Sequence, residues 1–248
     1  MIVFLLVASA FAGWIDAVIG GGGLVLIPVL MSATAMPAAS VLATNKVAAI
    51  SGTASAAATL VRRVGVPRVT WIYAIIAGVA AALGARAVSL VDDSVATPII
   101  LILLVGVGVF VALNPKFGQE GAGIFSGKRL ALAALVVAVI GGYDGVFGPG
   151  TGMFLIMAFT AVFTQGFVRS AAMSKVVNTA TNLGALLVFG LGGFINWKLA
   201  LALAAANVVG AQLGARTVLK GGSTLVRVAL LGLVVTLCAK LGWDLLQG

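Results

Sequence analysis

Apolar residues run along this chain in stretches of about 20, and the rare polar positions mark where one stretch ends and the next begins. The pattern predicts eight hydrophobic segments, all helical. Segment one runs from about Met1 to Ile19, breaks at glycines, and resumes as a short piece from Leu24 to about Met31. Segments two, three and four cover roughly Ala38 to Val61, Val69 to Leu90 and Ala96 to Leu113. Segment five starts near Leu130 and breaks at Gly148–Gly152, with a short piece from Met153 to about Phe163. Segments six, seven and eight cover roughly Val168 to Phe189, Trp197 to Leu219 and Leu225 to Leu246. Pieces as short as Leu24–Met31 cannot cross a bilayer and read as half-helices.

The two breaks are the unusual features. Asp16-Ala-Val-Ile is followed by Gly20, Gly21, Gly22 and Gly23, and Asp144-Gly-Val-Phe by Gly148-Pro-Gly150-Thr151-Gly152. In lipid each backbone group must be satisfied within its helix, so unwound backbone at membrane depth belongs where protein buries it or where it lines a cavity. A half-helix beginning after Gly23 or Gly152 would aim free N–H groups and a positive dipole end at the break, which suits an anion. Glycines used only for close helix packing are the alternative, and isolated ones such as Gly78 and Gly84 fit it better.

The halves also match in order. Gly13-Trp-Ile-Asp16 pairs with Gly141-Gly-Tyr-Asp144, Lys46-Val47 with Lys175-Val176, Trp71 with Trp197, and Leu83-Gly-Ala-Arg86 with Leu213-Gly-Ala-Arg216. The expected organisation is a first membrane repeat over 1–113, a polar linker over 114–128 and a second repeat over 129–248. If each half makes an odd number of crossings the second is inverted. The basic connections at Arg62/Arg63/Arg68, Lys116/Lys128/Arg129 and Lys220/Arg227 then share one side, as positive-inside topology requires, and both termini lie on the other with Asp92 and Asp93. The fold class expected is an all-α polytopic membrane protein of two inverted repeats.

Composition agrees and narrows the function. Hydrophobic residues make up 62% of the 248 and charged residues 8%, with a mean hydropathy of +1.22, the range of a multi-pass membrane protein. The net charge of +9 is scattered at segment ends, which argues against nucleic acid as a partner and for the lipid bilayer. One cysteine (Cys238) and no histidine leave neither a disulfide framework nor a Cys/His metal site. Nothing in the sequence calls for a cofactor, and no carboxylate pair accompanied by a nucleophile points to an enzyme.

Charge at the middle of a membrane segment costs about 2.5–3.5 kcal/mol even on lenient insertion scales, so Asp16, Lys46, Asp144 and Lys175 carry most of the information. One reading is purely structural: two ion pairs, for instance Asp16 with Lys46 and Asp144 with Lys175. The functional reading makes Lys46 and Lys175 anion ligands and Asp16 and Asp144 proton carriers, because burial favours the neutral form of a carboxylic acid. Thr44, Asn45, Ser174, Asn178 and Asn182 lie near the lysines and either ligate a substrate or join helices. Asn207 and Gln212 read as helix–helix contacts, and Tyr143 as a packing ring or a ligand.

Ala43-Thr44-Asn45-Lys46 after the Asp16-to-Gly23 motif, together with Tyr143-Asp144-Gly-Val-Phe-Gly-Pro-Gly-Thr-Gly152, resembles the sulfite exporter TauE/SafE family, over nearly the whole chain. The resemblance implies a bacterial inner-membrane carrier of small, often sulfur-containing anions such as sulfite and organosulfonates. The expectation is a secondary transporter whose substrate meets Lys46, Lys175, Asn45, Thr44, Gly21, Gly22, Gly23, Ser174, Asn178, Asn182, Gly150, Thr151 and Gly152. Asp16 and Asp144 would couple it to protons, and rocking of one repeat against the other would give alternating access. An anion channel, and a cation carrier using the two aspartates, are the competing functions. The oligomeric state, a homodimer included, stays open.

Overall fold

The computed structural model describes residues 1–87, 113, 118 and 123–247. The expected segment four, Asp92 and Asp93, and nearly all of the expected linker lie outside the described residues. Among the described residues eight helices follow in order: α1 (Ile2–Ile19), α2 (Gly22–Ala33), α3 (Ala38–Val64), α4 (Val69–Ala87), α5 (Gly127–Val146), α6 (Thr151–Phe163), α7 (Phe167–Leu191) and α8 (Trp197–Gln247). The expected segments seven and eight are the two parts of α8, whose backbone leaves helical geometry at Gly222 (φ 59°, ψ −161°).

Among the described residues four helices are long and apolar enough to cross a membrane: Ile2–Ile19, Val69–Ala87, Gly127–Val146 and Trp197–Val226. Their outer faces carry exposed apolar side chains at helical spacing, as with Ile72, Ile75, Val79 and Leu83 on α4. An uncovered stripe of that kind suits lipid. Helices α3 and α7 have 27 and 25 residues, ample length for a crossing, but carry the polar residues of the site. The halves of segments one and five after the breaks are the short apolar helices α2 and α6.

Both breaks are shorter than the sequence implies. Helix α1 ends at Gly20 in the left-handed region (φ 82°), Gly21 turns the chain, and α2 has already begun at Gly22. Helix α6 likewise begins at Thr151, after the left-handed Gly148 and Gly150 (φ 88° and 82°). Each residue outside a helix leaves polar backbone without an internal partner, so at membrane depth the chain regains helical geometry after two residues at the first break and four at the second. Leu24 N–H already donates to Gly21 O at 3.1 Å.

The packing divides the helices in an order that the chain does not follow. Helix α8 packs along α1 and α3, and α4 packs along α5 and α7. One bundle therefore holds α1, α2, α3 and α8, and the other holds α4, α5, α6 and α7. Each half of the sequence gives its fourth described helix to the other half's bundle, and the α3–α7 contact joins the two. Small residues set these seams, and matching positions make matching contacts. A Cβ on Gly84 would stand 2.2 Å from Gly142 O, and one on Gly214 would stand 2.6 Å from Trp14 O. In the same way Gly141 abuts Ala77 O and Gly13 abuts Asn207 O. Backbones this close gain dispersion contacts that no larger residue would allow.

Polar residues fasten the same seams. Asn207 donates to Ser9 O at 3.0 Å and Ser9 Oγ donates to Leu203 O at 2.8 Å, both between α1 and α8. Gln212 donates to Ser55 O at 2.9 Å, joining α8 to α3. Asn207 and Gln212 are thus helix–helix contacts, as their positions on segment seven lead one to expect.

Candidate site at the meeting of the two breaks

The two breaks touch. A Cβ on Gly152 would lie 2.5 Å from Gly20 Cα, and one on Gly20 would lie 2.3 Å from Met153 N. Backbone meets backbone there, so glycine is required on both sides, and at Gly20 by its positive φ as well.

Four charges surround that contact. Lys46 on α3 places Nζ 2.8 Å from Asp144 Oδ2. Its directed hydrogen bond goes to the backbone O of Asp144, at 2.9 Å. Lys175 on α7 donates to Asp16 Oδ2 at 2.9 Å and also to Asp16 O. Lys46, Asp144 and Lys175 are buried, and Asp16 is nearly so. The pairs assumed in the structural reading of the sequence form with their partners exchanged: each lysine reaches the aspartate of the opposite half. Each ammonium also stands at the carboxyl-terminal end of a broken helix, α1 or α5, where the helix dipole is negative. Both pairs bridge the two bundles.

The aspartates have a second task. Asp16 Oδ1 accepts Gly22 N–H at 3.4 Å, and Asp144 Oδ1 accepts the Thr151 hydroxyl at 2.7 Å. Gly22 and Thr151 are the first residues of α2 and α6, so each carboxylate ties the end of one half-helix to the start of the next. Tyr143 Oη donates to Pro149 O at 2.6 Å and braces the second break, and its ring packs against Phe147 and Phe154.

A small polar cavity opens beside the breaks, lined by Asp16, Gly20, Gly23, Asn45, Lys46, Ala49, Asp144, Gly148, Gly150, Gly152, Asn178 and Asn182. Its volume is about 20 Å³, room for about one water. The first turns of α2 and α6 reach it through Gly23 and Gly152, so the positive ends of both half-helices face it.

The other expected site residues stand behind or away from this space. Lys175 is fully buried and sealed against Asp16. Ser174 donates to Gly152 O at 2.8 Å, Thr151 is held by Asp144, and Gly21 and Gly22 form the turn beneath. Thr44 accepts the backbone N–H of Asn196 at 3.3 Å, tying α3 to the α7–α8 connection. Asn182 Nδ2 donates to Asn178 O at 2.7 Å, so this pair meets the cavity already partly bonded to itself. Ala49 is a lining residue that the sequence reading passes over. It follows Asn45 by one helical turn, and that spacing was the available signal.

A helical membrane protein whose interior holds two charge pairs around broken helices has the build of a membrane transporter. The family model described as sulfite exporter TauE/SafE matches residues 5–241, and the chain belongs to that family of membrane transporters. It is 34% identical over 248 residues to a "Probable membrane transporter protein" of Haemophilus influenzae, covering 98% of this chain and 95% of that one. It is also 34% identical over 244 residues to "Probable membrane transporter protein YfcA" of Escherichia coli, covering 97% and 89%. To "Probable membrane transporter protein ORF9" of a Sinorhizobium species it is 31% identical over 245 residues, covering 97% and 92%. No solved structure matches it.

Proposed function

We propose that this protein is a secondary transporter that carries a small anion across the bacterial inner membrane, coupled to protons and working by alternating access between two inverted repeats. The substrate class is a sulfur oxyanion such as sulfite or an organosulfonate. The observation that supports this most directly is Lys46. It lines a cavity between two half-helix amino termini, and its Nζ is engaged by one carboxylate and one carbonyl, both of Asp144. An anion entering the cavity competes with Asp144 for that ammonium.

The charge balance supplies the coupling. Two lysines and two aspartates sum to zero formal charge, so a bound monoanion leaves the buried site with one excess negative charge. Isolated buried charge is expensive, and a proton on the displaced carboxylate restores neutrality. Anion and proton then bind together and leave together. The cavity as it stands suits one water, so substrate entry requires the Lys46–Asp144 pair to part. That pair spans the α3/α5 boundary between bundles. In this reading the moving parts are the two bundles with their exchanged helices rather than the two halves of the sequence. This is carrier chemistry and not enzyme chemistry, in keeping with relatives that are named as membrane transporters.

The test begins with purified protein in a thermal-shift screen against sulfite, sulfate, thiosulfate, methanesulfonate and small carboxylates. Proteoliposomes holding a pH-sensitive dye follow, with a gradient of whichever anion stabilises the protein. Anion-driven proton movement that Lys46→Ala abolishes is the expected result. Anion flux without proton movement removes the coupling, and neither stabilisation nor flux with any of these anions overturns the reading.

A further inference from the structure

We propose that Gly23 is the residue that sets how large an anion the site accepts, an inference that rests on the anion-carrier reading above.

The two breaks can be matched from their ends, although the second spans one residue more from its aspartate to its half-helix. Gly20 and Gly148 each follow their aspartate by four residues, and both are left-handed. Gly22 and Thr151 each open a half-helix and donate to that aspartate. The next residues, Gly23 and Gly152, are therefore counterparts. Their surroundings differ sharply. Gly152 is pressed against Gly20, with only 2.5 Å between Gly20 Cα and any Cβ it could carry. The matching approach, Gly23 towards the Gly148–Gly150 turn, has not closed. A Cβ on Gly23 would find Ile27 Cδ1 at 3.5 Å, Pro149 Cα at 3.6 Å and Asn45 Nδ2 at 3.9 Å. These are ordinary van der Waals distances.

Glycine at position 23 thus answers to no steric demand of the fold. The residue lies within α2 and has no left-handed φ, so alanine would be favoured there over glycine by helix propensity. What glycine preserves is space, since Gly23 lines the cavity together with Lys46, Asp144 and Gly148. A methyl group is roughly as large as the one water for which the cavity has room. Placed on Gly23, it would occupy the volume that an anion needs to reach Lys46 and the α2 amino terminus. Gly20, Gly148, Gly150 and Gly152 are held by conformation or contact, so Gly23 is the glycine of the site where a side chain could be placed to tune substrate size.

The experiment uses the full chain in detergent, with wild type, Gly23→Ala, Gly23→Val and, as a helix-propensity control away from the cavity, Gly142→Ala. Apparent affinities for sulfite, methanesulfonate and isethionate are read from ligand-dependent thermal shifts. Gly23→Ala should melt no lower than wild type without anion. It should weaken binding by about tenfold, the usual effect of one methyl group in a fitted pocket. The loss should deepen for Gly23→Val and be steepest for the largest anion that wild type binds, with Gly142→Ala unchanged. Unchanged affinities, a loss independent of anion size and side-chain volume, or a large drop in melting temperature without anion would each overturn the assignment of Gly23. If wild type responds neither to these three anions nor to sulfate, thiosulfate or small carboxylates, it is the carrier reading that fails, and this inference with it.

Discussion

Lys175 Nζ and Asp16 Oδ2 lie 2.9 Å apart although 159 positions separate the residues in the chain, and the lysine is fully buried. Lys46 and Asp144 repeat the arrangement from the opposite side. Removing one partner of a buried pair leaves an uncompensated charge, which costs about 3–5 kcal/mol. Lys175→Ala should therefore lower stability by about that amount, and Asp16→Asn in the same chain should recover a good part of it. Asp144→Asn should instead rescue Lys46→Ala. Double-mutant cycles on unfolding in detergent check this. Rescue of Lys175→Ala by Asp144→Asn would contradict the exchanged pairing.

The two lysines should differ in function. Lys46 lines the cavity and Lys175 is sealed against Asp16. Lys46→Arg keeps the charge but adds a bulkier planar head to a space of about 20 Å³. Anion binding should fall at least about tenfold, on the scale of other pocket substitutions, while the melting temperature without anion changes by only a few degrees. Titration with the best anion of the screen measures it, and wild-type affinity in Lys46→Arg would place the anion elsewhere.

The second break depends on Tyr143. Tyr143→Phe deletes the only donor to Pro149 O among the described residues, and leaving this part-buried carbonyl unsatisfied costs up to about 1–3 kcal/mol. The variant should fold, melt lower and transport more slowly. Unaltered stability would mean that water replaces the hydroxyl.

Glycines at the helix seams should separate cleanly from glycines in open positions. A Cβ on Gly145 would stand 2.1 Å from Ala81 O, whereas one on Gly142 would meet nothing within 4 Å. Gly145→Ala should cost about 1–3 kcal/mol through forced backbone displacement. Gly142→Ala should be neutral or stabilising by up to about 1 kcal/mol. Thermal unfolding of the two purified variants decides the matter.

How far the sequence foretold this molecule depends on the range of the interaction. The breaks were legible because four consecutive glycines or a Gly-Pro-Gly-Thr-Gly run inside an apolar stretch has no place in a continuous helix. The matched glycines were legible too: Gly84 and Gly214 were paired by their neighbours in sequence, and each abuts the matching residue, Gly142 or Trp14. The exchange of ion-pair partners was not. Lys46 is nearer in sequence to Asp16, yet the packing of one bundle against the other sets it beside Asp144. Thr44 turns away from the cavity for a local reason, since successive positions on a helix point about 100° apart and Asn45 takes the cavity face. Nor could periodicity reveal that Asn178 and Asn182 bond to each other before any ligand arrives.

The traded helices bear on how the molecule is made. Helix α1 finds its main partner in α8, the last of the described helices to be synthesised, so of the two bundles the one begun first gains its fourth described helix last. During translation α1, α2 and α3 must wait in the bilayer with the glycine notches at Gly13 and Gly52 empty, while the α4–α7 assembly is already complete. Chains cut short before Trp197 should therefore show α4–α5 disulfides between engineered cysteines but a protease-sensitive α1–α3 segment. Supplying residues 197–247 as a separate polypeptide should restore its protection.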